Sequence, residues 1–443
     1  MRSITGVLGG FGRLGGTGTT VRRTLAASPI QPTGSEAPVR AAPHGVPSAA
    51  LRAALAQAGE DVPLPAAVVD LDAVRANADL LVARAHGRPI RVATKSVRCR
   101  AILDEALARP GFAGLMAYSV AEAHWLAGRG HDDILVAYPS VDAAALRALA
   151  ADPAACARVT IMADDPAHLA MAQRAWADAG SRPDAPIRVC VDVDASLRVG
   201  RVHLGARRSP LRTPAGVARA AGVVAGAPGL LLAGLMFYDA QIAGLPDASA
   251  AVRAVKRASD RDLRTRRRAD VDAVAAELDR LGAPPLRFVN GGGSGSLHVT
   301  GADDALTELA AGSGLYAPTS FDAYRGWSPR PALYVVLPVV RRPAPGFATV
   351  FGGGYVASGA AGASRLPTPV WPPGLRLIGS EGAGEVQTPL RAAGAPPAIG
   401  EAVWFRPTKA GEPLERFDRV WLVEGGRVTG SAPTYRGEGR CFG

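Results

Sequence analysis

Between residues 88 and 313 the chain repeats one pattern eight times: a short apolar run of β-forming residues, then a stretch with helical periodicity. The runs fall at 88–94, 112–118, 132–138, 158–163, 187–193, 230–238, 285–290 and 308–313. Helices are expected at 99–108, 120–129, 141–151, 165–179, 213–226, a long one at 247–282 and a short one at 302–307. A doubly wound open sheet also alternates in this way, but eight strands favour closure into a (β/α)8 TIM barrel. After residue 325 the texture changes. Pro and Gly become frequent, helical periodicity disappears, and runs such as 332–340, 347–351 and 420–423 alternate with turns. This predicts an α/β fold with three parts. Residues 1–45 form a disordered extension, 46–325 a barrel, and 326–443 a smaller all-β domain.

Composition narrows the function classes. A hydrophobic share of 48% supports a sizeable Ala, Val and Leu core and excludes a chain disordered throughout. No apolar run reaches the ~18 residues of a membrane span, so no membrane partner is expected. Cys99, Cys156, Cys190 and Cys441 are widely spaced with no CxxC pairing, which fits a reduced cytoplasm better than disulfides or a zinc ribbon. Residues 1–45 superficially resemble a transit peptide, yet arginine is common along the whole chain and no compact apolar signal region is present. The expected location is the cytoplasm.

The formal charge of +11 invites a nucleic-acid reading. Much of the excess lies in two places: Arg2, Arg13, Arg22 and Arg23, and the segment 253–268 with Lys256, Arg257, Arg261, Arg264, Arg266 and Arg267. Neither cluster interleaves with aromatics or carries a DNA-binding spacing, so a solvated arginine-rich helix is the better reading and no nucleic-acid partner is expected.

The chemistry-bearing residues sit at strand ends. Lys95, in Arg91-Val92-Ala93-Thr94-Lys95-Ser96, falls at the C-terminal end of the first barrel strand, where such barrels place reacting groups. A lysine there forms a Schiff base with an aldehyde cofactor if its ammonium loses a proton easily, which a partly desolvated mouth and neighbours such as Arg91 and Arg98 would favour. The bland alternative is a lysine snorkelling at a strand end. After the seventh strand comes Asn290-Gly291-Gly292-Gly293-Ser294-Gly295-Ser296, and after the eighth Gly312-Ser313-Gly314-Leu315-Tyr316. Bare glycines let backbone N–H groups approach an anion, and loops after strands seven and eight are the usual phosphate grip of this fold. Either run alone is an ordinary tight turn. A strand-end arginine such as Arg198 can meet a cofactor ring nitrogen or a substrate carboxylate, or simply offset Asp192 and Asp194. Tyr238, Asp239 and Gln241 follow the sixth strand.

Pro65-Ala66-Ala67-Val68-Val69-Asp70-Leu71-Asp72, with the Lys95 strand some twenty residues on, resembles the opening of the fold-type III pyridoxal-phosphate enzymes, which are built on the alanine racemase barrel. The glycine loops, the terminal β domain and the ending Thr434-Tyr435-Arg436-Gly437-Glu438-Gly439 are most similar to the D-threonine aldolase and D-serine dehydratase branch. The resemblance implies pyridoxal 5′-phosphate as cofactor, Lys95 as its covalent anchor, and phosphate contacts from Gly292, Gly293, Ser294, Gly295, Gly314 and Tyr316. Tyr238 stands where the branch has a tyrosine, but the histidine expected three residues later is Gln241. The branch also carries a metal-binding pair before a Phe-Asp dipeptide. Counting back from Phe417-Asp418, those positions hold Lys409 and Gly411, and all seven histidines lie at or before His298. No metal is therefore expected.

These features predict a lyase, an aldolase or deaminating dehydratase, acting on a small β-hydroxy-α-amino acid of D configuration. Lys95, Tyr238 and Lys409 are its catalytic residues, Arg198 is a cofactor contact, and the assembly is a homodimer. Lys409 is placed to supply the positive charge that a metal gives relatives. The alternatives are a racemase, which needs a second base such as β-domain Tyr334, Tyr355 or Tyr435, supplied within the chain or across a dimer interface, and a non-catalytic carrier of the cofactor.

Overall fold

A computed structural model describes residues 45–443. The N-terminal stretch, with its four arginines and its expected disorder, lies outside the described residues. Eight parallel strands close into a barrel in the order Ile90–Ala93, Phe112–Ala117, Ile134–Pro139, Val159–Ala163, Ile187–Asp192, Leu230–Phe237, Phe288–Gly291 and Glu308–Ala311, the last pairing with the first. Each falls within or beside a run expected from the sequence. The lumen is filled by Met116, Leu135, Met162, Cys190, Met236 and Phe288. At its N-terminal end Arg91 is buried against Glu308, with nitrogens 2.9 and 2.7 Å from the two carboxylate oxygens, while Asn290 donates to the same carboxylate at 2.8 Å. Arg91 is therefore not a neighbour of the lysine ammonium, as had been expected; a buried guanidinium needs this paired acceptor.

The surrounding helices start where the sequence supplies caps. Ser119, Asp142, Asp165, Thr213 and Ser249 each accept an N–H from the first turn of the helix that follows, and proline opens two of these helices at Pro166 and Pro214. The long helix Ala250–Leu281 ends on Gly282 in a left-handed conformation. The short helix expected at 302–307 is instead a turn. Asp303 accepts from Ala305 N–H at 3.0 Å and from the Arg267 guanidinium, and the helical turn sits earlier, at Leu297–Thr300.

The arginine-rich helix is less solvated than its composition suggests. Lys256 and Arg267 are buried and paired with Asp247 and Asp303, and Arg266 donates to the carbonyls of Asp194 and Ser196. These three charges tie the helix to the barrel, while Arg257, Arg261 and Arg268 stay exposed on its outer face.

The second unit is a nine-stranded sheet. Its strands include Leu333–Arg341, Phe347–Phe351, Ala402–Arg406 and Arg419–Glu424, as the alternating runs after residue 325 suggest. It also contains Ala66–Asp70, from before the barrel, antiparallel to Leu333–Arg341 and parallel to Arg419–Glu424. One apolar core runs from barrel residues such as Leu81 and Leu315 into Leu414, Phe417 and Tyr435, which lie in the turns of the second unit, so the two units are packed together without a linker. No helix among the described residues is long and apolar enough to cross a membrane. All four cysteines are unpaired; Cys99, Cys156 and Cys190 are buried and Cys441 is exposed.

Candidate active site

The C-terminal end of the barrel opens into a cleft of about 1890 Å³ walled on the far side by the β domain. Lys95 projects into it from the tight turn Thr94–Ser96. The turn is pinned by Thr94 Oγ1 donating to Met116 O at 3.1 Å and by Tyr316 Oη donating to Val97 O at 3.2 Å. Lys95 Nζ donates to Tyr138 Oη, at the end of the third barrel strand. Burial pushes the Tyr138 phenol up, but Lys95 and Arg208 outweigh it and leave the group below its ordinary value. Arg208 lies 5.1 Å from the Tyr138 ring centre and 4.5 Å from that of Tyr238. Tyr238 lines the cleft as the sequence suggested, and burial holds its phenol above the ordinary range.

Facing Lys95 are the two glycine loops. Gly292, Gly293, Ser294 and Gly295 line the cleft, and the N–H groups of Ser294 and Gly295 have no acceptor among the described residues. Ser294 Oγ accepts from Gly312 N–H at 3.3 Å and Gly314 N–H at 3.1 Å, so the hydroxyl of the first loop ties down the backbone of the second. The first loop is anchored from below by fully buried Asp239, which accepts from Thr300 Oγ1 at 2.7 Å and is held above the usual carboxylate range by burial. The adjacent N–H groups of Ser294 and Gly295, without a protein acceptor and across from a lysine, suit a phosphorylated aldehyde.

The other expected residues take different places. Gly314 and Tyr316 lie behind the loop and do not line the cleft. Arg198 sits on the exposed hairpin Leu197–Leu204, 2.6 Å from Asp194, in a separate cavity of about 390 Å³; of the two, it is Arg208 that reaches both cavities and lines the cleft. Gln241 is buried and donates to Ala195 O at 2.6 Å, outside the lining. Arg98 pairs with Glu415 and donates to Lys95 O at 3.1 Å, so its charge is already matched.

Lys409 enters the cleft from the β domain and donates to Ser358 Oγ at 2.6 Å, while Glu412 accepts from Ser358 N–H at 2.8 Å. Burial lowers the Lys409 ammonium from its ordinary value; Arg365 and Lys95 add to this and Glu412 opposes it. Gly411 packs so closely on the lysine turn that a Cβ there would lie 2.6 Å from Ser96 C and 2.9 Å from Lys95 O. Among the described residues no three His, Cys, Asp or Glu side chains gather in a metal-binding group. Of the three tyrosines considered as a second base, Tyr334 and Tyr435 are buried, and none of the three lines the cleft.

Sequence reasoning missed Tyr138, Arg365 and Glu122. The first two are strand-end or loop residues with no motif around them. Glu122 is buried behind the lysine turn, accepting from Tyr118 N–H at 2.7 Å, and burial pushes it up to about 7.

The alanine racemase N-terminal domain model matches residues 69–319, more than half of the chain. The chain belongs to that family. Its cofactor is pyridoxal 5′-phosphate, and the lysine and glycine loops at the barrel mouth fit that group. Among solved structures, D-threonine aldolase from Filomicrobium marinum superposes with a TM-score of 0.70 at 24% identity, covering 84% of this chain and 95% of that one. D-threo-3-hydroxyaspartate dehydratase from Delftia sp. HT23 gives 0.64 at 21%, covering 84% and 97%. Alanine racemase from Clostridium difficile 630 gives 0.56 at 14%, covering 84% and 99%. These likenesses establish the shared two-domain fold. A search of curated proteins finds no match.

Proposed function

We propose that the protein is a lyase that cleaves or dehydrates a small β-hydroxy-α-amino acid of D configuration, working as a homodimer. The observation that carries this reading is a second lysine, Lys409, held by Ser358 in the same cleft as Lys95. In this reading Lys95 anchors pyridoxal 5′-phosphate, while Gly292, Gly293, Ser294 and Gly295 hold its phosphate. When bound, the cofactor's ring accepts the electron pair released from a substrate bond. Lys95, once displaced by the substrate amine, takes or returns a proton, with Tyr138 Oη as the adjoining proton site. Arg208 orients the Tyr138 and Tyr238 rings. Lys409 keeps a positive charge at the substrate's β-oxygen, steadying the negative charge that develops there. Cleavage needs one base beside that hydroxyl, whereas racemisation needs bases on both faces. The neighbouring D-threonine aldolase and D-threo-3-hydroxyaspartate dehydratase support the lyase reading.

The test is product analysis with D-threonine and other D-3-hydroxy amino acids. The lyase yields an aldehyde plus glycine, or a 2-oxo acid plus ammonia. Interconverted enantiomers with deuterium exchange at Cα and no cleavage would assign the protein to the racemases instead. Lys409→Met should lower turnover by about 10²–10³ with cofactor content unchanged, the typical effect of removing one such electrostatic contact; near-normal turnover would place Lys409 outside the chemistry.

A further inference from the structure

An amino acid bound at Lys95 brings a free α-carboxylate into the cleft. A carboxylate leaving bulk water needs a cation with well-placed donors. Most cations around the cleft are already engaged. Arg98 is paired with Glu415 and Arg406 with Asp322, Lys409 is hydrogen-bonded to Ser358, and Arg208 lies over the Tyr138 and Tyr238 rings. Arg376 is exposed on the outer strand Leu375–Leu377, where water screens it.

Arg365 differs from all of these. It lines the cleft, has no carboxylate partner among the described residues, and its Nε is buried with no hydrogen-bond acceptor. A buried guanidinium N–H without an acceptor is costly, and a ligand carboxylate supplies one. The residue is also held in position. Its N–H donates to Gly362 O at 2.9 Å, and its carbonyl accepts from Ala357 N–H at 2.8 Å. Its guanidinium lies over Gly359, whose φ of +124° favours glycine and where a Cβ would sit 3.0 Å from Arg365 Cζ. The charge of Arg365 is felt at Lys409, which also feels Lys95, so the three cations share one region of the cleft.

We infer that Arg365 is the α-carboxylate subsite of the cleft and restricts the substrate to free α-amino acids, excluding amides, amines and peptide-linked residues. This rests on the function proposed above. Arg365 then fixes the carboxylate while Lys409 meets the β-oxygen, and the two together orient the Cα–Cβ bond.

Alanine and its primary amide, alaninamide, test this without turnover at a β-hydroxyl, because neither carries one. Both enantiomers of each are titrated into the cofactor-loaded protein, and binding is read from the change in the visible absorbance band. The wild-type protein should prefer alanine over alaninamide. In Arg365→Met, alanine binding should weaken roughly ten- to hundredfold while alaninamide changes by less than about twofold, as loss of a charged hydrogen-bonded contact predicts. Arg365→Lys, which keeps the charge but not the paired donors, should fall between the two, and it carries the test if Arg365→Met does not retain cofactor. An acid-over-amide preference that survives in both variants would overturn the inference and leave the proposed function standing. No spectral response of the wild-type protein to any of the four compounds would overturn both.

Discussion

At the residue scale, two buried carboxyl groups make stability depend on pH. Glu122 is pushed up by burial to about 7 behind the lysine turn, and Asp192, buried near Asp164 at the end of the fifth barrel strand, also to about 7. In the unfolded chain such acids ionise near pH 4, so the native state holds protons that the unfolded state has lost. Their contribution is complete below the unfolded value and disappears as pH rises through about 7. For Glu122, which is almost wholly buried, the difference corresponds to at most about 4 kcal/mol. Glu122→Gln keeps the acceptor for Tyr118 N–H and removes the ionisation. It should therefore raise the denaturation midpoint at pH 8 and change it little at pH 4.5; urea unfolding at the two pH values measures this. A variant destabilised equally at both would mean that the carboxyl contributes only its hydrogen bonds. Neither acid was legible in the sequence, because a glutamate in Val120–Ala127 reads as a solvated helix position until the barrel buries it. The same limit explains Arg198 and Arg208. Ten residues apart in one arginine-rich stretch, they are alike in sequence, and only the hairpin Leu197–Leu204 turns one outward and leaves the other over the tyrosines.

At the scale of elements, the eight barrel strands were readable because each is a short apolar run, and several lead to a helix that begins on a capping residue such as Ser119, Asp142 or Asp165. The pairing of Ala66–Asp70 with Leu333–Arg341 and Arg419–Glu424 was not, since it joins segments more than 250 residues apart. That pairing ties the segment just before the barrel to the sheet that leads to Lys409, and Gly411 completes the link by packing on the Lys95 turn. Gly411→Ala should displace the turn, because the added Cβ must push on the Lys95 carbonyl and the Ser96–Val97 peptide. The expected result is a stability loss of about 1–3 kcal/mol, in the range of overpacked sites, with weakened cofactor retention. Gel filtration followed by the absorbance ratio of cofactor to protein reads the second effect. Full retention would show that the β domain and the lysine turn move independently.

At the scale of the whole molecule, the barrel supplies the cofactor mouth and the β domain supplies its roof, and the chemistry depends on which cations that roof brings. In the proposed account Lys409 takes the place of a metal, so activity on a D-3-hydroxy amino acid should survive exhaustive dialysis against a chelator. Loss of activity with recovery on adding Mn²⁺ or Zn²⁺ would locate a metal site that Lys409 and Gly411 do not provide. The fold class and the lysine were visible in the sequence, because strand-end position and glycine loops are local signals. The roof was visible only as an alternation of short strands, and Ser358, Arg365 and Lys409 are brought together by the sheet alone. Everything in this account depends on the anchor. The most direct measurement is borohydride reduction of the cofactor-loaded protein, followed by proteolysis and mass mapping of the modified peptide. Reduction should abolish the visible band and fix the cofactor on Lys95, and Lys95→Ala should show no reducible band. A Lys95→Ala protein that still gives a reducible band, or an adduct mapped to Lys409, would contradict Lys95 as the anchor.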